Sequence, residues 1–202
     1  MKRSTGSRPT KRARSQSGNR KRQTVAQGKT RAEKVIKWIE GRCRIPEGRD
    51  VGKPVRLRVW QRKEIHRIYG NPYGTRRGIL SFGRKNGKTT LAACLLLCHL
   101  CGTEAIPNSQ LYSAAQSRDQ ASLLFNLATK MVRLNEDLNS VIIIRETVKQ
   151  LVWPEGGSRY MALSADASTN LGLSPVFIVH DELGQVRGPR SCLLYTSDAA
   201  DD

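Results

Sequence analysis

From Thr30 the apolar positions begin to recur at helical spacing. Thr30 and Glu33 form a capping-box pattern ahead of Val35, Trp38 and Ile39, which predicts a helix ending near Gly41. An extended stretch with Pro46 and Pro54 leads to a second amphipathic segment. There Leu57, Trp60, Ile68 and Tyr69 predict a short helix before the breaker Gly70-Asn71-Pro72. Residues 78–82 (Gly-Ile-Leu-Ser-Phe) read as a buried strand, Gly83 to Gly87 as a tight loop, and Lys88 to Cys101 as a long apolar helix. The alternation continues with a strand at Gln110–Ala114 and a helix from Ser117 to about Leu134. That helix places Ala121, Leu124, Phe125, Ala128, Met131 and Val132 on one face. Val141–Arg145, Gln150–Trp153 and Arg159–Leu163 read as shorter strands, and Val176–His180 as an apolar strand running directly into Asp181-Glu182. Alternating strands and helices without an internal repeat predict an α/β layered domain around a mainly parallel sheet.

Charge changes this picture at one end. The formal net charge of the 202 residues is +18, and residues 1–32 hold eleven Lys or Arg with no acid, so +7 belongs to the remainder. With almost nothing apolar to offset its ordering entropy, segment 1–32 is expected to be a disordered basic tail. Such an arm suits DNA through counterion release, and it equally suits a solubilising tail or a contact for any polyanion. No apolar stretch approaches eighteen residues and the basic start precedes no hydrophobic signal region, so neither membrane insertion nor secretion is expected and the cytoplasm is. Five cysteines stand at 43, 94, 98, 101 and 192. Cys94, Cys98 and Cys101 fall at helical spacing in an apolar run without a second ligand pair, which reads as reduced core residues rather than a zinc site.

Three constellations carry chemistry. The first is Gly83-Arg84-Lys85-Asn86-Gly87-Lys88-Thr89, followed by Thr90, between an expected strand and an expected helix. A tight glycine turn exposes consecutive backbone N–H groups to a polyphosphate, and the following helix adds its positive end. Lys88 is expected to reach the β- and γ-phosphates of ATP and the Thr89 hydroxyl to bind Mg²⁺. The first glycine of the usual G-x-x-x-x-G-K-[ST] spacing would fall at 82, which here is Phe82. The second constellation is the acid pair ending the last strand. Asp181 is expected to hold Mg²⁺ and Glu182 to polarise the attacking water, the two tasks hydrolysis needs. The third is Trp60-Gln61, since a glutamine both donates to and accepts from an adenine edge.

Leu57-Arg58-Val59-Trp60-Gln61, the loop from Arg84 to Thr89, Tyr112-Ser113-Ala114-Ala115 with Asp119-Gln120-Ala121, Leu171-Gly172-Leu173-Ser174-Pro175 and Asp181-Glu182-Leu183 together resemble the large terminase subunit of tailed phages. The similarity runs from about residue 31 to 191. It implies a P-loop NTPase fold of the RecA/ASCE type and an ATPase that pumps double-stranded viral DNA into a preformed capsid. It further implies a homo-oligomeric ring on the portal protein, a small terminase subunit as partner, and a host-cytoplasmic setting. Arg84 matches a family arginine that senses or stabilises the γ-phosphate. The family's C-terminal nuclease domain is not expected in this chain. The expected organisation is thus a basic tail over 1–32, a partial ATPase domain over 33–191, and a tail over 192–202. The last can be back-translated to resemble a transposase sequencing adapter and is expected not to be phage-encoded, leaving a fragment unable to translocate DNA. A helicase-type ATPase, with the same glutamine, loop and acid pair, and a basic nucleic-acid-binding protein with a fortuitous Gly-Lys-Thr are the alternatives.

Overall fold

The computed structural model describes residues 29–83, 85–115, 118–163 and 174–180, with the backbone alone for 118–121. Three helices come first: α1 (Arg31–Arg42), α2 (Val59–Tyr69) and α3 (Lys88–Cys101). They are followed by β1 (Gln110–Ala114), α4 (Arg118–Arg133), α5 (Glu136–Val141), β2 (Ile143–Arg145), β3 (Gln150–Trp153), β4 (Ser158–Leu163) and β5 (Phe177–His180). The capping box at the start of α1 is formed, with Thr30 Oγ1 accepting from the Glu33 N–H at 3.3 Å and Glu33 Oε2 accepting from the Thr30 N–H at 2.8 Å. Those bonds favour the charged carboxylate and hold Glu33 below its usual pKa. Thr30, Arg31 and Ala32, drawn into the tail by charge alone, form the cap and first turn of α1; residues 1–28 lie outside the described residues.

The five strands form one sheet in the order β2-β3-β4-β1-β5. β1 pairs in parallel with β4 and β5, while β2–β3 and β3–β4 pair antiparallel, so the sheet is mixed, parallel in the part that leads to the site. The main core lies on one face, where Leu96, Leu97, Leu100, Leu111, Phe125, Leu151 and Tyr160 are almost fully excluded from water. On α4, Leu124, Phe125, Ala128, Met131 and Val132 are buried as the spacing requires. A smaller cluster of Tyr112, Ala114 and Leu163 occupies the opposite face, as strand alternation dictates.

Two expected elements take a different form. Residues 78–82 make no strand, and Ile79 is 87% exposed rather than buried. Segment 78–82 pairs with no described strand, and an apolar run without a partner strand has nothing to hold it extended. The run 141–145 is divided: Val141 closes α5, and the strand begins at Ile143. Asn135 caps this helix by accepting from the Leu138 N–H at 3.1 Å, and Glu136 and Asp137 favour its positive end. A turn of helix therefore precedes the β-branched run.

Candidate functional site

Gly87 caps α3 in the left-handed region, φ 73°, where a Cβ would crowd the backbone, and this conformation turns the chain sharply into the helix. Lys85 also stands at positive φ, 62°. Asn86 Nδ2 donates to the Gly83 carbonyl at 3.2 Å, which closes the turn from within. Gly87, the N-cap of α3, brings no side chain to cap the helix, and the first turn contains no acid, so the partial positive charge of the helix end is not offset from within the helix. Lys88 is exposed and donates from Nζ to the Phe82 carbonyl at 2.7 Å; Thr89 and Thr90 are half-buried beside it. Arg84 lies outside the described residues.

Helix α2 brings Trp60 and Gln61 against this loop. The Trp60 ring rests on Phe82 with centroids 4.3 Å apart. Gln61 is buried, and its Oε1 accepts from the Arg58 N–H at 2.8 Å, anchoring the side chain at the start of its own helix. Its NH₂ group is the part turned toward the loop, since a Cβ on Gly87 would stand 4.0 Å from Gln61 Nε2. The structure thus presents the glutamine to the loop side mainly as a donor. One positioning residue escaped the reading of the chain: Glu40 of α1 accepts from the Leu57 N–H at 3.0 Å and from Arg62 Nη2 at 2.7 Å. It fixes both sides of the Trp60-Gln61 step. Nothing local marks it, because its partners lie 17 and 22 residues away.

The direction of α3 relates the loop to the sheet. His99, near the end of α3, stacks on Phe177, the first residue of β5, with centroids 4.1 Å apart and planes at 15°. From there α3 runs back about 16 Å to Lys88 at 1.5 Å per residue, and β5 advances about 10 Å to His180 at 3.3 Å per residue. Helix and strand are antiparallel, so the carboxyl end of β5 and the amino end of α3 lie at the same edge of the sheet. Ligands of open α/β sheets collect at that edge. His180, the last described residue of β5, is partly buried, and burial lowers its pKa. Asp181 and Glu182 follow it in sequence and lie outside the described residues. So do Leu171, Gly172 and Leu173, as do the side chains of Asp119, Gln120 and Ala121.

At the other end of α3, His99 Nε2 lies 2.8 Å from the Tyr69 hydroxyl, and its buried Nδ1 has no hydrogen-bond partner among the described residues. Burial pushes the imidazole down to about 4 and keeps it neutral. The thiols of Cys94 and Cys98 are buried and that of Cys101 is half-buried; burial raises Cys98 to about 11 and Cys101 to about 12, so neither is a thiolate at neutral pH.

The family model for the terminase large subunit, ATPase domain, matches residues 59–191. A curated relative, the terminase large subunit of Enterobacteria phage HK97, is 49% identical over 161 residues, covering 80% of this chain and 32% of the relative. The crystal structure of the HK97 large terminase superimposes with a TM-score of 0.78 at 45% identity, over 86% of this chain and 35% of that one. The ATPase domain of the Thermus phage P74-26 large terminase shares the fold, with a TM-score of 0.52 at 21% identity, over 71% of this chain and 61% of that one. The chain thus spans about a third of the length of the HK97 protein.

Proposed function

The chain belongs to the terminase large subunit ATPase-domain family, and from that premise we propose that it is the nucleotide-binding part of a motor that drives double-stranded viral DNA into a procapsid. One observation carries the reading: the left-handed Gly87 turn opens the amino end of α3 with Trp60 resting on Phe82 and Gln61 Nε2 facing Gly87. The stacking of His99 on Phe177 supports an approach of the carboxyl end of β5 to the same edge. In this reading the triphosphate of ATP lies against the backbone of Gly83 to Gly87, with Arg84, Lys85, Asn86, Thr89 and Thr90 around it. Lys88 exchanges the Phe82 carbonyl for phosphate oxygens, replacing a neutral acceptor by a charged one. Trp60 and Gln61 take the base side.

The donor set fits a magnesium nucleotide, because the loop offers cations, hydroxyls and a helix terminus with no acid in its first turn. Thr89 and Asp181 would hold Mg²⁺, which when bound neutralises charge on the polyphosphate. Glu182 takes a proton from the attacking water as its oxygen bonds to the γ-phosphorus and the bridge to ADP breaks; Arg84 stabilises the charge that develops. As part of a longer protein, the chain acts in a homo-oligomeric ring on the portal protein, with the small terminase subunit, in the host cytoplasm. No described helix is long and apolar enough to cross a membrane.

The test is nucleotide binding by the 202-residue chain, followed through Trp60 fluorescence or a labelled ATP. Lys88→Ala is expected to weaken MgATP binding about 10- to 100-fold, the worth of a hydrogen bond to a charged group. Glu182→Gln is expected to retain binding and abolish phosphate release. Equal binding by Lys88→Ala and the parent would remove the loop from the mechanism.

A further inference from the structure

At the far end of α3 from the phosphate loop, a cleft of about 390 Å³ opens between α1 and the turn after α3. It is lined by Lys29, Lys34, Lys37, Trp38, Arg42 and Thr103, with no carboxylate among them. Lys34, Lys37, Trp38 and Gly41 recur at three- and four-residue spacing and so form one stripe of α1. The floor of the cleft is firm, because Trp38 lies against Gly102, where a Cβ would come within 2.6 Å of the indole. Across α3 the separation from Lys88 is about 20 Å, at 1.5 Å per residue.

Among the described residues one carboxylate, Glu33, acts on Lys29 through space, and it is bound in the capping box with Thr30. Arg42 pairs with Asp137, but Lys29, Lys34 and Lys37 form no ion pair among the described residues. Lys29 lies against Lys37, and contact and repulsion between the two ammonium groups lower the pKa of Lys29. The 28 residues before them contain nine Lys or Arg and no acid, so that segment supplies no carboxylate. Three lysines share the one nearby carboxylate, Glu33, and that excess of positive charge at the cleft suits an anion from outside. The charges run along a helix and continue into a basic segment, which matches a polymer of regularly repeated charge better than one compact phosphate.

We propose that this cleft is a contact for the phosphodiester backbone of duplex DNA, separate from the nucleotide site. The proposal rests on the reading of duplex DNA as the substrate. It assigns the contact to backbone charge, so the cleft holds any sequence and helps to keep the duplex engaged.

The experiment compares the 202-residue chain with its Lys29→Gln/Lys34→Gln/Lys37→Gln variant. Binding to a short blunt-ended duplex is followed by fluorescence anisotropy over a series of KCl concentrations. The plot of log K against log salt is expected to become shallower by about 2 to 3, since each phosphate contact contributes about 0.9. The weakening should be the same for duplexes of unrelated sequence. Arg49→Gln/Arg56→Gln/Lys63→Gln removes three charges outside the cleft and is expected to change the slope less; thermal melting verifies that both variants fold. A parent chain that does not bind duplex overturns the substrate reading itself. Binding whose slope is unchanged in the cleft variant, or equally changed in both variants, overturns the inference alone.

Discussion

Along α3 and the segment before it, the chain passes within a few turns from the driest part of the molecule to some of its most exposed apolar residues. Leu96, Leu97 and Leu100 are fully buried, whereas Tyr73 and Ile79 are 96% and 87% exposed. The first region is held by many non-directional contacts, each small and collectively large. The second is held by a few directional ones: the left-handed Gly87, Asn86 on the Gly83 carbonyl, Lys88 on the Phe82 carbonyl and Trp60 against Phe82. One region sets whether the chain folds and the other sets what the amino end of α3 can bind. Local stability is uneven in proteins, and binding loops belong to its low end.

Variants that separate the two regions sharpen this contrast. The largest effect is expected from Leu96→Ala, which leaves a cavity and costs about 2–5 kcal/mol. Urea unfolding should show it, while MgATP affinity of the folded fraction stays at the parent value. A parallel loss of affinity would mean that the two regions are not separable.

Next comes His99, which sits between them. Its folded pKa of about 4 lies below the ordinary 6.5, so in that window the unfolded chain binds the proton more readily. The associated stability is complete above pH 6.5 and falls by up to about 3 kcal/mol as pH drops toward 4. Urea unfolding at a series of pH values should give His99→Gln a flatter acid limb than the parent. An identical limb would place the proton linkage elsewhere.

The smallest change is expected from Gly87→Ala, where the left-handed conformation costs roughly 1–2 kcal/mol. The added Cβ has ordinary room beside Gln61, so the cost is conformational and falls on an exposed turn. MgATP affinity should drop about 5- to 30-fold with little movement of the urea midpoint. A midpoint shift as large as that of Leu96→Ala would erase the distinction.

Legibility follows the range of the forces involved. The capping box at Thr30 and the bounds of α3 and β1 could be read directly, because caps, glycine turns and apolar periodicity act within a few residues. Helix α5 was obscured for a local reason: its cap, Asn135, is plain, but six residues of helix run into the β-branched stretch 141–144. Segment 78–82 shows the opposite failure, since its composition suits a strand but a strand also needs a neighbour, and it pairs with none of the described strands. Glu40 and His99 could not be picked out, because their roles depend on partners on other elements.

By itself the sequence determined which stretches coil, where a glycine must turn the chain, and which residue types are available to meet a phosphate. Tertiary structure alone decided that α3 runs antiparallel to β5 and that Gln61 turns its amide to the loop. It also decided that Lys29 stands against Lys37 of α1 at a cleft whose lining holds no acid. The physical reason is that backbone conformation answers to neighbours along the chain, whereas burial, stacking and charge answer to whatever the fold brings near.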